Sequence, residues 1–100
     1  RDPYIHELKG DILRDSQRPA EAVASYERAV ALLPSSIALR YQLAQAQVNA
    51  GQFAPAVRNL DQVVIAEERN LGAWDLMARA QAGLGNKGMT DLATAEVFLL

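Results

Sequence analysis

The sequence predicts an all-α fold: three antiparallel helical hairpins, about six helices, stacked side by side as one domain over residues 1–100. Three observations carry that expectation. The chain repeats itself at a period of 34 residues: Gly10, Ala44 and Ala78 fall in register, as do Ile12, Ala46 and Ala80, then Ala22, Ala56 and Thr90, then Ala29, Val63 and Val97. Within the stretch 21–34, Ala22, Tyr26, Ala29, Val30 and Leu33 recur at the three-and-four spacing of a single helix face. Proline stands where helices begin or stop, with Pro19 in a first turn and Pro34 just past an end. A fixed period of this kind marks supersecondary units that bury their apolar faces only by stacking on one another.

Taken in order, Asp2 and Pro3 supply a cap and first turn for helix one, expected to run to about Asp15 with Ile5, Leu8, Ile12 and Leu13 as its apolar face. A turn through Ser16, Gln17 and Arg18 leads into helix two, which ends near Leu33. Ser35 or Ser36 caps helix three, over residues 37–50, and Gly51 closes it where a left-handed residue is wanted. Gln17, Gly51 and Gly85 share one register at the turn inside each hairpin. Helix four starts near Phe53, because Pro55 fits only a first turn, and turns Phe53, Val57, Leu60 and Val64 inward, with Val63 beside them. Position 68 is glutamate where repeat one ends in proline, so this helix is expected to continue to about Arg69. Asn70 caps helix five, and Gly83 and Gly85 end it. The sixth segment, 89–100, slips out of register after the longer turn at residues 85–88 and ends on Phe98, Leu99 and Leu100 without a cap. The repeats are therefore 3–36, 37–70 and 71–100, the last irregular. Arg1 at one end and the apolar triplet at the other point to a piece of a longer chain.

Composition narrows the classes of function. Half the residues are hydrophobic, but 18 of the 100 are alanine, which favours helix and lets helices approach closely. The formal charge of −2, with Lys and Arg scattered among carboxylates, argues against a nucleic-acid surface. There is no cysteine, which removes disulfides and thiolate metal sites and decides nothing about compartment. No apolar run approaches the ~20 residues that span a bilayer.

The period of 34, with small residues at these places, resembles the tetratricopeptide repeat, whose pattern reads W-x2-L-G-x2-Y, then A-x3-F, then P. Repeat one gives Ala22-x3-Tyr26, then Ala29, then Pro34; repeat three opens with Trp74, Met77 and Ala78. The resemblance implies a right-handed stack serving as a protein-interaction scaffold. A narrower likeness rests on PYIHELKG (3–10), RPAEAV (18–23) and GMTDLATAE (88–96). These stretches are similar to the C-terminal repeat tail of bacterial periplasmic zinc metallopeptidases with an HExxH domain upstream. That likeness implies an exported, periplasmic protein with zinc in its upstream domain and no cofactor here; the residues themselves leave the cytoplasm open.

Catalysis finds little support. His6-Glu7 opens like a zinc motif, but the second histidine is missing, since position 10 is glycine and the chain holds no other histidine. Packing at the first large position of the repeat explains His6 better. No serine sits in a nucleophile elbow, and Ser35 and Ser36 are accounted for as caps. Glu67-Glu68 reads as a solvated helix end rather than an acid pair. Glycines 83, 85 and 88 follow no strand and read as turn residues rather than a phosphate cradle. Trp74 reads as a repeat-core residue.

The resemblance places the binding groove on the first helix of each pair. Repeat one then offers Tyr4, Glu7, Asp11, Arg14 and Asp15; repeat two Ala38, Tyr41, Gln45, Val48 and Asn49; repeat three Gly72, Asp75, Arg79, Ala82 and Gly83. Chaperone-binding members clamp a C-terminal carboxylate with lysine, asparagine and arginine. Glu7 and Asp11 occupy such places here and would repel it, so the groove suits a peptide or partner segment with basic character. The competing reading is a self-association module, a homodimer joined through Val97, Phe98, Leu99 and Leu100.

Overall fold

The computed structural model describes residues 2–85, which form five α-helices and, among the described residues, no strand: α1 (Pro3–Asp15), α2 (Pro19–Leu32), α3 (Ile37–Asn49), α4 (Phe53–Ala66) and α5 (Leu71–Gly83). Each helix packs on the next in the chain, and α3 packs also on α5. Two complete hairpins and the first helix of a third are thus in place. The expected sixth helix, the register partners Thr90 and Val97, and the edge at Val97, Phe98, Leu99 and Leu100 lie outside the described residues.

Local chemistry sets the helix ends. The Asp2 carboxylate accepts the Tyr4 N–H at 2.9 Å, Ser36 Oγ the Leu39 N–H at 3.2 Å, and Asn70 Oδ1 the Ala73 N–H at 3.0 Å. Each satisfies one of the donors that a helix start leaves orphaned. Between paired helices the backbone enters the left-handed region three times at the same register, at Gln17 (φ 58°), Gly51 (φ 78°) and Gly85 (φ 78°). The next N–H then reaches back over the turn, Arg18 to the Leu13 carbonyl and Gln52 to the Gln47 carbonyl, both at 2.8 Å. Glycine meets this geometry without strain; Gln17 meets it at a cost.

Helix four is shorter than the sequence suggested. It ends at Ala66 rather than near Arg69, 34 residues after the end of α2 at Leu32. Proline is not needed for the break, because Glu67 leaves helical angles (φ −135°, ψ 75°) and its carbonyl accepts the Asn70 N–H at 3.0 Å. Trp74 Nε1–H then donates to the Glu68 carbonyl at 2.8 Å, pinning the loop to α5.

The core of the described residues divides into two clusters that meet at α3. In one, Ala22, Val23, Tyr26, Ala29 and Val30 of α2 pack with Leu39, Leu43 and Ala46 of α3. In the other, Ala44 and Val48 of α3 pack with Ala56, Leu60 and Val63 of α4 and Ala73, Leu76, Met77 and Ala80 of α5. Gly10, Ala22, Ala44 and Ala56 are buried as small residues at helix crossings should be, while Ala78 is partly open. Val63 is fully buried, whereas Phe53, Val57 and Val64 are only partly so. Trp74 joins the second cluster from its margin, in keeping with a core role.

A second correction concerns α1. Of its expected apolar face only Leu13 reaches the core: Ile5, Leu8 and Ile12 are each more than half exposed, as is Tyr4. Gly10 and Leu13 make the inward contact instead, with the Tyr26 ring laid on Gly10. A polar chain ties the second hairpin to the first. Arg40 donates to Asn59 Oδ1 at 2.9 Å and to the Pro34 carbonyl at 2.8 Å, and Asn59 Nδ2 donates to the buried Gln47 Oε1 at 2.8 Å.

Candidate functional site

The residues nominated for a groove lie on α1, α3 and α5, the first helices of successive pairs, of which α3 and α5 touch directly. They differ in how far they are already committed. On α1, Asp11 accepts the Tyr26 hydroxyl at 2.5 Å and stands 3.6 Å from the Arg14 guanidinium, which also donates to Asp15 at 3.3 Å. Burial, followed by this carboxylate, pushes the Tyr26 phenol well above the usual tyrosine range. Asp11 therefore works for the fold as well as the surface. On α5, Arg79 and Asp75 form an exposed pair at 3.2 Å, one helical turn apart.

Two groupings come together in space. Arg14 of α1 and Asn49 of α3 line one cavity of about 320 Å³, with Gln17, Pro19, Ala22 and Ala46 as its other walls. Tyr41 reaches from α3 to α5, its hydroxyl against Gly72, where a Cβ would collide with it. Glu7, Gln45 and Tyr41 are half-buried, and Tyr4 is exposed. Ala38, Ala82 and Gly83 are exposed too, while Val48 turns into the core. The Phe53 ring lies against Gly83, where no larger residue would fit.

The sequence reading missed the walls Gln17, Pro19, Ala22 and Ala46, which it had assigned to turns and packing. It also missed the Tyr26–Asp11 bond, whose signal is a phenol placed in a core with its hydroxyl needing an acceptor. His6 sits half-buried near Arg28, Ala31 and Leu32 of α2, lining a second cavity of about 310 Å³. Burial, then the charges of Lys9 and Arg28, hold its imidazole below the ordinary value of 6.5. Among the described residues no group of three His, Asp or Glu side chains is placed to hold a metal ion, and no helix is long and apolar enough to cross a membrane.

What the fold defines is a stack of helical hairpins, each helix packed on the next. A family model described as the tetratricopeptide repeat matches residues 13–84, and the chain belongs to that family. It is 30% identical over 77 residues to tetratricopeptide repeat protein 33 of Xenopus laevis; the match takes in 77% of this chain and 30% of that protein. The chain thus spans about a third of that relative's length. Among solved structures it resembles the second TPR of Spaghetti (RPAP3) bound to the HSP90 peptide SRMEEVD. That match has a TM-score of 0.86 and 17% identity, covering 100% of this chain and 93% of the other.

Proposed function

We propose that this domain is a non-catalytic protein-interaction scaffold that takes a partner segment in the groove formed by α1, α3 and α5. The supporting observation is the cavity of about 320 Å³ that Arg14 and Asn49, from successive first helices, line together with Gln17, Pro19, Ala22 and Ala46. Such a cavity accepts one apolar side chain of an extended segment while the polar pair holds its backbone. Glu7 and the Asp11–Asp15 pair favour basic residues beside it. The structural neighbour carrying the peptide SRMEEVD has the same fold, which supports a peptide-binding role at the level of architecture. The acidic character of α1 sets this groove apart in the ligand it should prefer.

The test is a pair of fluorescence-anisotropy titrations on the 100-residue chain. One uses SRMEEVD, the other a charge-reversed SRMKKVK amide without a free carboxylate. The basic peptide should bind at least tenfold more tightly, about 1.4 kcal/mol, and Glu7→Lys should erase that preference. Tighter binding of SRMEEVD, or equal binding of both, overturns the assignment of charge. We further propose that the parent chain is an exported zinc metallopeptidase carrying this domain as its C-terminal tail. The support is the likeness of residues 3–10, 18–23 and 88–96. An HExxH helix encoded upstream of Arg1 is the expected result, and a different upstream domain would refute it.

A further inference from the structure

The cavity between the first and second hairpins has a counterpart one repeat on, and there the protein supplies a ring of its own. In that register Val48 stands for Arg14, Gly51 for Gln17, Phe53 for Pro19 and Gly83 for Asn49, while Ala22 and Ala46 recur as Ala56 and Ala80. All four alanines are buried, so the two crossings share one frame. At the second crossing the Phe53 ring, from the start of α4, lies on Gly83 at the end of α5, so close that a Cβ there would collide with it. Phe53 packs against the cluster that holds Val48. At the first crossing no ring arrives. The Pro19 side chain is bonded back to its own nitrogen and is too short to span to α3, and Asn49 carries the Cβ that Gly83 lacks. About 320 Å³ stays open there. Its lining residues belong to two complete hairpins, so the opening lies within the array rather than at its first face. The lining also differs in kind, since Arg14, Gln17 and Asn49 are polar where their counterparts are apolar. Gln17 keeps a side chain at φ 58° where the other two turns use glycine. A residue held in the left-handed region against its local cost is a feature that gathers at binding sites.

We infer that Pro19 and Asn49 determine the specificity of this cavity: they leave open what Phe53 and Gly83 close one repeat on, and so select a partner segment that presents an aromatic side chain. The inference rests on the reading of the cavity as a peptide site, and it adds the residue the peptide must carry. Ala22, Ala46 and Pro19 offer the ring apolar carbon. Its face suits the Arg14 guanidinium, which Asp15 and Asp11 steady at 3.3 and 3.6 Å. The carboxamides of Gln17 and Asn49 both donate and accept, which suits the partner's main chain on either side of the ring. An aromatic side chain seated in a pocket is the kind of anchor that carries most of the affinity of a small interface. Because Asn49 has a Cβ, the incoming ring lies beside it rather than on it as Phe53 lies on Gly83.

The probes are acetylated peptide amides with a central phenylalanine, leucine or alanine, flanked in one set by lysines (KAFAK) and in the other by glutamates (EAFAE). Titrated into the 15N-labelled chain, the phenylalanine peptide should shift the amides of Arg14, Gln17, Ala22, Ala46 and Asn49 saturably. It should bind about tenfold more tightly than the alanine peptide, with leucine between them. Pro19→Phe with Asn49→Gly recreates the second crossing and should lower the phenylalanine peptide to the affinity of the alanine one. Asn49→Trp narrows the cavity from an exposed helix end and should do the same, with the far-UV circular dichroism unchanged. A wrong assignment of charge changes which flank binds better and leaves the ring preference standing. Equal binding of the three central residues, or shifts confined to other amides, overturns the aromatic anchor and leaves the scaffold reading in place. Silence from every peptide overturns both. Shifts at the same amides on Phe98→Ala with no peptide present, or loss of peptide binding in the full parent protein, would give the cavity to a segment of the same chain and overturn the inference too.

Discussion

Gly10 and Tyr26 should show a reversal of sign under one substitution. A Cβ built on Gly10 would lie 2.6, 2.7 and 2.8 Å from Cε1, Cζ and Cδ1 of Tyr26. Carbon atoms prefer about 3.5–4.0 Å, so the ring would have to move. It has little room: Tyr26 is fully buried, and its hydroxyl is held by Asp11 at 2.5 Å. Overpacking of this kind costs about 1–3 kcal/mol, and three ring atoms in conflict place Gly10→Ala toward the upper end. Against that, alanine in a helix interior is better than glycine by about 1 kcal/mol. The net expectation is a loss of about 1–2 kcal/mol, or roughly 4–16 °C in Tm for a domain of this size. Repeat two shows the alternative solution, with Ala44 in place of Gly10 and Leu60 in place of Tyr26, both fully buried. In a Tyr26→Leu background, therefore, Gly10→Ala should stabilise by about 1 kcal/mol. The coupling of about 2–3 kcal/mol is measured by urea denaturation of the four proteins of the cycle, with unchanged m-values as the check on two-state behaviour. Equal destabilisation in both backgrounds would mean the ring does not rest on Gly10.

Three further outcomes are expected. Gln17→Gly should stabilise the fold by up to about 1 kcal/mol, because Gln17 holds φ 58°, whereas Gly51→Ala at φ 78° should destabilise by a similar amount in the same denaturation assay. Folding favours the neutral Tyr26 phenol, so this residue's contribution is intact below pH ~10 and is lost as pH rises through its elevated folded value. Subtracting the 295 nm titration of Tyr26→Phe from that of the parent should place Tyr26 ionisation above the usual tyrosine range, together with the loss of helical signal. Ala44→Leu should cost about 1–3 kcal/mol in a thermal melt, since Ala44 is fully buried where α3 meets its neighbours; an unchanged melt would refute the 34-residue register.

Most of the architecture was legible because the signals that specify it are local. Asp2, Ser36 and Asn70 cap the helices they precede, Pro3 and Pro19 begin helices, and residues 17, 51 and 85 turn left-handed in one register. What sequence could not reveal was the presence or absence of a neighbour. Ile5, Leu8 and Ile12 show the same spacing as residues that are buried, and spacing establishes that they share a face without establishing that anything lies on it. The end of α4 was misjudged because proline was taken as the necessary stop, while a glutamate leaving helical angles and a cap at Asn70 do the same task. At the positions nominated for a groove, the family pattern says nothing of which side chains are already engaged. Asp11 is engaged by a phenol 15 residues away, and Arg14 is shared between two carboxylates. The Tyr26–Asp11 bond depends on the rotation of α2 against α1, which no single stretch of sequence encodes, whereas the Arg14 pairs lie within α1 itself.

The placement of α3 between two core clusters has a consequence for how the molecule comes apart. Leu39, Leu43 and Ala46 leave water on one side of this helix, and Ala44 and Val48 on another. Helices α2, α4 and α5 each contribute apolar buried residues to a single cluster. Because packing runs mainly from neighbour to neighbour, loosening either end leaves α3 with one of its two clusters still in place. Local openings then form a gradient along the chain, with free energies that rise toward the centre. Amide hydrogens of α3 should exchange with solvent most slowly, and those of α1 should exchange earlier, since Ile5, Leu8 and Ile12 already face water. The middle helix thus acts as the keystone of the array, the last part to yield whichever end frays first.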